Sequence, residues 1–192
     1  MCLILFHRCS NSIPAMKHIL PILTITTLAA AASAQSAAAP AGLSYNRVTV
    51  SREGQNTTLS ASTFLGSSNV LATVGAVRNQ YGEAVTSYSL GYVFKGVVAG
   101  IDATVSVGSG DASNNSDIGL NLRRSLSEVV AGLEVAVGAS YNSGAGAAAS
   151  TTNFTYELAY NVNKQFQVAY GVTDLDAAGV ENLHTISVRY NF

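Results

Sequence analysis

The sequence predicts an all-β protein, a transmembrane antiparallel up-and-down β-barrel, and three observations support this prediction. Only 11% of the 192 residues are charged while 48% are apolar, whereas a soluble domain carries about 25% charged residues. Beyond the N-terminal stretch, no run approaches the roughly 20 apolar residues that a membrane helix needs. From residue 43 onward, short segments of alternating apolar and polar residues are separated by clusters of Gly, Ser, Asn and Asp, which is typical of strands and turns.

The N-terminal stretch predicts an export signal. From Met16 the sequence MKHILPILTITTLAAAASAQ has a basic start at Lys17, an apolar segment, and small residues at 32–34. This order is typical of a secretory signal peptide, here 16–34, cleaved before Gln35. A membrane anchor is the alternative, which the short apolar segment disfavours.

The flanking segments complete the predicted domain organisation. Residues 1–15 fit poorly in front of a signal peptide, so we expect them to be a misassigned upstream start. Residues 35–42 form a small-residue lead, and the barrel is expected over 43–192. Both cysteines, Cys2 and Cys9, precede the signal. The exported chain would therefore carry no thiol to mispair in an oxidising compartment.

We predict ten strands joined as an antiparallel meander. The alternation is strictest from residue 97 to the end, where the same phase holds through consecutive strands. Residues 57–78 could be a hairpin turning at GSSN or one long strand, so eight strands are the alternative; the turn-forming GSSN favours the hairpin. The predicted strands are 43–52, 57–65, 69–78, 84–94, 97–107, 117–124, 129–141, 152–162, 165–173 and 184–192.

The composition of the two strand faces predicts which of them meets lipid. In a soluble sandwich or lipocalin-like barrel the apolar face points inward, whereas in a membrane barrel it points outward. The polar face here is mostly Gly, Ala, Ser and Thr with scattered charges, which suits a crowded, narrow interior. A face in water would carry many Lys and Glu. The sequence therefore predicts an apolar outer face in lipid.

Aromatic residues and connection lengths predict the orientation. Two aromatic girdles at the lipid boundaries are expected of such a barrel. One set is Tyr92, Phe94, Tyr160, Phe166, Tyr190 and Phe192, and the other is Tyr141, Phe154 and Tyr156. The short turns GSSN, FKG, RSLSE and NVNKQ alternate with the long loops RNQYGEA, GSGDASNNSD, YNSGAGAAASTT and TDLDAAGVENLH. Long loops are expected outside the cell and both termini in the periplasm.

The final segment HTISVRYNF places Ile186, Val188, Tyr190 and Phe192 at alternate positions. With the signal peptide and the cysteine-free strand repeat, this ending resembles the small outer-membrane β-barrels of Gram-negative bacteria, the porin-like and opacity-protein-like group. The resemblance implies an outer-membrane location and recognition of these four residues by the barrel-assembly machinery. It implies little about activity. We expect a monomer surrounded by outer-membrane lipid.

Five charged residues are predicted to line the lumen. Burying charges unpaired is expensive, so they either pair across the lumen and plug it or face water and make a narrow pore. Ten strands enclose far less space than the 16 to 18 of general porins. VVAGID (97–102) and VVAGLE (129–134) also match, which indicates a repeated hairpin. The predicted lumen residues are Asp102, Arg123, Glu134, Glu157 and Arg189.

The sequence offers little for catalysis, metals or cofactors. His184 lies near Asp174, Asp176 and Glu181, but catalysis needs groups that converge at hydrogen-bonding distance, and the spacing does not show this. These acids do not have the spacing of a calcium motif. The formal net charge of −1 argues against a nucleic-acid surface. We expect no enzymatic activity, no metal and no cofactor.

Three functions fit these predictions. The first is a porin-like barrel with a narrow or partly plugged lumen for small solutes, which the small polar lining favours. The alternative is a structural or surface-interaction barrel that acts through its extracellular loops. An outer-leaflet hydrolase using His184 is weaker.

Overall fold

The computed structural model describes residues 43–79, 81–110, 113–143, 150–175 and 181–192. The predicted upstream segment 1–15, signal peptide 16–34 and lead 35–42 lie outside the described residues, as does Asp176. In the described ranges, no helix is long and apolar enough to cross a membrane.

The described residues form ten strands in one closed barrel, so the ten-strand prediction is confirmed and the eight-strand alternative is wrong. Every strand pairs with the strands before and after it, and all pairs are antiparallel. The strands are β1 Arg47–Glu53, β2 Asn56–Phe64, β3 Val70–Arg78, β4 Ala84–Val98, β5 Ile101–Gly110, β6 Ser113–Ser125, β7 Leu133–Asn142, β8 Thr151–Asn161, β9 Phe166–Leu175 and β10 Leu183–Asn191.

The barrel closes where β1 pairs with β10. The register runs from Arg47 opposite Asn191 to Glu53 opposite Thr185. Beyond it, the backbone N–H of Phe192 donates to the carbonyl of Asn46 at 3.1 Å. Closure leaves no sheet edge on which another chain could pair.

The two faces of the sheet are inverted relative to a soluble protein, as the sequence predicts. Large apolar side chains cover the outside, such as Ile186, which is 65% exposed. The interior holds polar side chains, and Gln167 is only 1% exposed. Because neighbouring strand residues point to opposite sides, the alternation in the sequence produces this inversion directly.

We call the two ends of the barrel the turn rim and the loop rim. The turn rim contains the connections 65–69, 99–100, 126–132 and 162–165, together with residues 43–46. The loop rim is the opposite end, where β1, β3, β5, β7 and β9 finish. Both ends of the described chain therefore lie at the turn rim.

The turn predicted at FKG is wrong. Strand β4 continues through it, because Gly96 takes a φ of +61° in an irregularity between Phe94 and Val98. The chain reverses instead at Ala99 and Gly100, with φ of +49° and +74°. Two positive φ values are the geometry of a type I′ hairpin turn, which normally favours Asn-Gly. The predicted strand 97–107 is therefore divided, since Val97 and Val98 belong to β4.

The predicted strand 129–141 begins too early. Residues 126–132 form a turn in which the N–H groups of Val129 and Val130 both donate to the carbonyl of Leu126, at 2.9 and 3.0 Å. Strand β7 starts at Leu133. The two VVAG segments thus lie at the same rim, but one contains a tight hairpin turn and the other ends a longer turn. The predicted loop GSGDASNNSD is also too long, because β5 and β6 extend to Gly110 and from Ser113.

We predict that Gly132→Ala destabilises the barrel more than Gly100→Ala. Both glycines have positive φ, +83° and +74°, which costs an alanine about 1–2 kcal/mol. A Cβ at Gly132 would also lie 2.9 Å from the carbonyl oxygen of Asn161, whereas one at Gly100 meets nothing within 4 Å. Urea unfolding of the refolded variants, followed by circular dichroism, measures the difference. Equal midpoints for both variants would contradict the predicted crowding.

Candidate functional site

The candidate site is the interior of the barrel, where inward residues of neighbouring strands bring charged side chains together. Arg123 on β6 and Glu134 on β7 are 5% and 4% exposed, and Nη2 of Arg123 donates to Oε2 of Glu134 at 2.9 Å. Nη1 of the same arginine donates to the carbonyl of Ser44 at 2.9 Å. Arg123 therefore fastens the segment before β1 to the opposite wall.

A second ion pair joins the strands near barrel closure. Nη1 of Arg189 on β10 donates to Oε1 of Glu157 on β8 at 2.8 Å and to the amide oxygen of Gln167 on β9 at 2.9 Å. Nη2 of Arg189 donates to the other oxygen of Glu157. The bidentate arrangement on the carboxylate is the strong form of such a contact.

Two amide side chains connect these ion pairs. Nδ2 of Asn161 donates to Oε1 of Glu134 at 2.8 Å. Nε2 of Gln167 donates to Oδ1 of Asn161 at 2.9 Å. One hydrogen-bond network thus runs from Arg123 to Arg189 across five strands, β6 to β10. We call it the polar network; its members are Arg123, Glu134, Asn161, Gln167, Glu157 and Arg189.

Tyr45, which precedes β1, crosses the interior at the turn rim. Its side chain is buried, and its hydroxyl donates to Oδ2 of Asp102 at 2.8 Å. Oδ1 of Asp102 accepts from the backbone N–H of Gly96 at 2.8 Å. The guanidinium of Arg123 lies 4.7 Å from the centre of the Tyr45 ring. Burial raises the pKa of the Tyr45 hydroxyl, which keeps it protonated as the donor.

The opposite half of the interior, along β3 to β6, is open and lined by small polar side chains. A cavity of about 400 Å³ lies toward the loop rim, and one of about 170 Å³ lies deeper. They share Thr73, Ser89 and Ser106. The deeper cavity reaches Tyr45, Arg47 and Arg123.

A third cavity, of about 540 Å³, opens at the turn rim. Tyr45 lines both this cavity and the deeper one on its other side. The Tyr45 ring therefore separates the open half of the lumen from the mouth at the turn rim.

Two strand glycines, Gly119 on β6 and Gly138 on β7, have close neighbours on adjacent strands. A Cβ at Gly119 would lie 2.8 Å from Oγ of Ser106, and one at Gly138 would lie 2.5 Å from Oγ1 of Thr155. Larger residues at these positions would force the neighbouring hydroxyl groups aside.

Arg47 also lies inside the barrel, but it forms no ion pair among the described residues. Its Nη1 is buried with no hydrogen-bond partner among the described residues. It lines the deeper cavity beside Arg123, so two guanidinium groups lie at this end of the lumen.

The structure brings four of the five sequence-predicted lumen residues into two ion pairs, Arg123 with Glu134 and Arg189 with Glu157. Asp102 binds Tyr45 instead. Sequence reasoning missed Tyr45, Arg47, Asn161 and Gln167. The signal for Arg47 was its phase opposite Val48 and Val50, which places it with Thr49 and Ser51 on the inner face. No comparable signal identified Tyr45, since it precedes the strand.

His184 lies on the outer face near the loop rim, away from the polar network. Its Nδ1 is 2.6 Å from the hydroxyl of Tyr170, and the two rings stack. Asp174 and Glu181 are exposed. In the part of the chain that the structure describes, no three His, Cys, Asp or Glu residues are grouped to hold a metal ion.

The residues of the predicted assembly signal lie on the outside of β10 and just after it. Ile186, Val188 and Tyr190 are exposed, and Phe192 is half-buried. Tyr190 packs edge-on against Phe166 of β9, with ring centroids 5.4 Å apart.

Comparison with known proteins supports the fold. No protein-family model and no curated protein matches the sequence. The chain is similar to the solved structure of the KdgM porin in complex with disordered oligogalacturonate, with 14% identity, a TM-score of 0.51, and coverage of 78% of this chain and 99% of that one. It is also similar to the NanC porin, with 11% identity, a TM-score of 0.51, and coverage of 76% and 98%. The chain therefore shares the closed-barrel fold of small outer-membrane porins.

Proposed function

We propose that this protein is an outer-membrane, porin-like channel that passes small solutes slowly through a partly plugged lumen. The observation that carries the proposal is the open half of the interior. Two cavities that share Thr73, Ser89 and Ser106 extend from the loop side down to Tyr45. Hydroxyl and amide groups along this wall can replace water around a small polar solute, as selective pores require.

The polar network limits what can pass. Its arginines are each paired with a glutamate, and the linked amides fill the β6 to β10 side of the lumen. At the height of the network, solutes are therefore confined to the β3 to β6 side, whereas nearer the loop rim the cavity also reaches Ser140 and Asn142 of β7 and Asn153 of β8. The KdgM complex contains a polyanion, oligogalacturonate, but here Arg123 and Arg189 are each paired with a glutamate, which leaves Arg47 as the lumen arginine without an ion pair among the described residues. We propose small solutes, not a polyanion, for this chain.

We also propose the location and the partners, and the same architecture supports them. An apolar outer face in contact with lipid and a polar interior suit the outer membrane. Under this proposal the chain is a monomer, the loop rim faces outward, and the segment Ile186–Phe192 is recognised by the barrel-assembly machinery.

A structural barrel without conduction is the second candidate, and one observation favours it. Tyr45, held by Asp102 and stacked under Arg123, stands between the deeper cavity and the mouth. If this obstruction is permanent, the protein acts through its loops. Recording in planar bilayers separates the two, and complete absence of ion steps from refolded wild-type protein would overturn the channel proposal.

Tyr45→Ala is expected to increase single-channel conductance, because removal of the ring joins the deeper cavity to the mouth. The matched control is Tyr92→Ala, since Tyr92 is exposed on the outside of β4 and lines none of the three cavities described above. Planar-bilayer recording at fixed salt gives the readout. A Tyr45→Ala conductance equal to that of the wild type would show that Tyr45 is not the constriction.

Arg123 forms a buried ion pair and the next residue, Arg124, forms an exposed one, so the contributions of the two pairs to stability can be compared. Glu134→Ala leaves Arg123 uncompensated inside the barrel, and we expect a loss of about 3–5 kcal/mol in unfolding free energy. The control is Glu128→Ala, which breaks the pair with Arg124. Those side chains are 53% and 40% exposed, so its loss should stay below about 1 kcal/mol. Urea titration of both variants measures the difference, and similar losses would show that the network is hydrated, not buried.

Phe192→Ala is expected to reduce the assembled barrel in outer membranes of expressing cells several-fold while leaving refolding in detergent unchanged. The reason is that the proposed recognition acts on assembly, not on barrel stability. Phe166→Ala, an aromatic change at the same rim, serves as control. Gel mobility before and after heating quantifies folded protein. A loss of refolding in detergent equal to the loss in cells would assign Phe192 a structural role only.

A further inference from the structure

The outer face at the loop rim carries cations that the proposed channel does not use. Arg52 on β1 and Arg78 on β3 are both exposed and point outward. Each pairs in register with Thr57 of β2, from opposite sides. Because neighbouring strands lie about 4.8 Å apart, the two backbones are roughly 10 Å apart at the same height.

Few protein groups offset the positive charge of these two arginines. Nε of Arg52 donates to the carbonyl of Gly54 at 3.1 Å, and among the described residues neither Arg52 nor Arg78 forms an ion pair. The acids closest to them along the chain are Glu53, which follows Arg52, and Glu83, whose Oε2 accepts from Nδ2 of Asn79 at 3.0 Å, and neither is within ion-pair distance of Arg52 or Arg78. An outward arginine at the middle of a bilayer costs about 2–4 kcal/mol, but close to 0–1 near the interface. Their height therefore suits contact with lipid headgroups.

A groove on the outer face lies directly beside Arg52. It has a volume of about 560 Å³ and is lined by Val50 and Val188 below Arg52, by Ile186 directly opposite Arg52, and by Tyr170 and His184 on the far side. Nδ1 of His184 is bonded to the Tyr170 hydroxyl, which leaves Nε2 for another partner. A cationic group above an apolar groove matches the shape of a lipid with a phosphate head and an acyl chain.

We propose that this surface binds a phosphorylated, acylated glycolipid of the outer leaflet. Arg52, Arg78 and His184 contact its phosphates, and an acyl chain lies along Val50, Ile186 and Val188. A glycolipid with two phosphates separated by sugar rings fits two arginines about two strand spacings apart better than a lipid with one phosphate. Charge-assisted contacts between arginine and phosphate supply the affinity. The inference rests on the proposed outer-membrane location with the loop rim outward.

Native mass spectrometry of the refolded full-length barrel, titrated with diphosphorylated lipid A, tests the proposal. The wild type is expected to retain one lipid A molecule. The double variant Arg52→Gln/Arg78→Gln is expected to bind about 100-fold more weakly, because each of the two lost charge-assisted contacts is worth about tenfold. Arg124→Gln is the matched control, because Arg124 points outward at the opposite rim, where it pairs with Glu128. Unchanged affinity in the double variant, or an equal loss in Arg124→Gln, would overturn the site.

Two further lipids identify the occupant. Dephosphorylated lipid A is expected to bind the wild type at least as weakly as lipid A binds the double variant, because the His184 contact is lost as well; binding at full strength would overturn the phosphate contact. Phosphatidylglycerol is expected to compete poorly, and competition at equal phosphate concentration would overturn the glycolipid assignment. Gel mobility before and after heating confirms that each variant is folded. Bilayer recording of the wild type tests the channel separately, since lipid retention does not require conduction.

Discussion

The pairing of β1 with β10 is the contact on which the rest of the molecule depends. Seven consecutive residue pairs, from Arg47 opposite Asn191 to Glu53 opposite Thr185, convert a meander into a cylinder. A spanning sheet must satisfy every backbone group internally, because hydrocarbon offers no hydrogen-bond partner. Closure also defines an interior, and only there can Arg189 of β10 reach Glu157 of β8. The ion pairs and the lumen are therefore consequences of a backbone constraint.

The interior is divided because charge and small size are distributed unequally around the sheet. In the half near the turn rim, strands β6 to β10 supply long side chains that satisfy one another, whereas β3 to β6 supply Ser, Thr and Gly that leave space; toward the loop rim, Ser140 of β7 and Asn153 of β8 also line the open cavity. Arg123 on β6 belongs to both halves. It binds Glu134, holds the carbonyl of Ser44 and lies over Tyr45. One guanidinium thus connects the filled half, the open half and the segment that enters the mouth.

The sequence was sufficient for the strand number, the alternation and the inverted faces, since each depends on local residue order. The positions of the turns were harder to predict from the sequence. Ala99 adopts a positive φ that its residue type disfavours, while Gly96, a better turn residue, lies in the irregularity of β4. The hydrogen-bond partners of the inward side chains could not be predicted from the sequence either. The contact between Asn161 and Glu134, 27 residues apart, depends on strand register, and Tyr45 lies before any alternation begins.

Asp102 connects the Tyr45 side chain to the irregular part of β4. One carboxylate oxygen accepts from the Tyr45 hydroxyl across the mouth, and the other accepts from Gly96 in the irregular part of β4. A substitution of Asp102 would release the obstruction and disturb a hairpin together. The Tyr45 ring also packs on Phe64 of β2, with ring centroids 5.3 Å apart, but Tyr45 itself precedes β1 and belongs to no strand. Under the proposed channel function, the width of this mouth therefore depends on a side chain outside the sheet, and its replacement can alter permeability while the ten paired strands stay as they are.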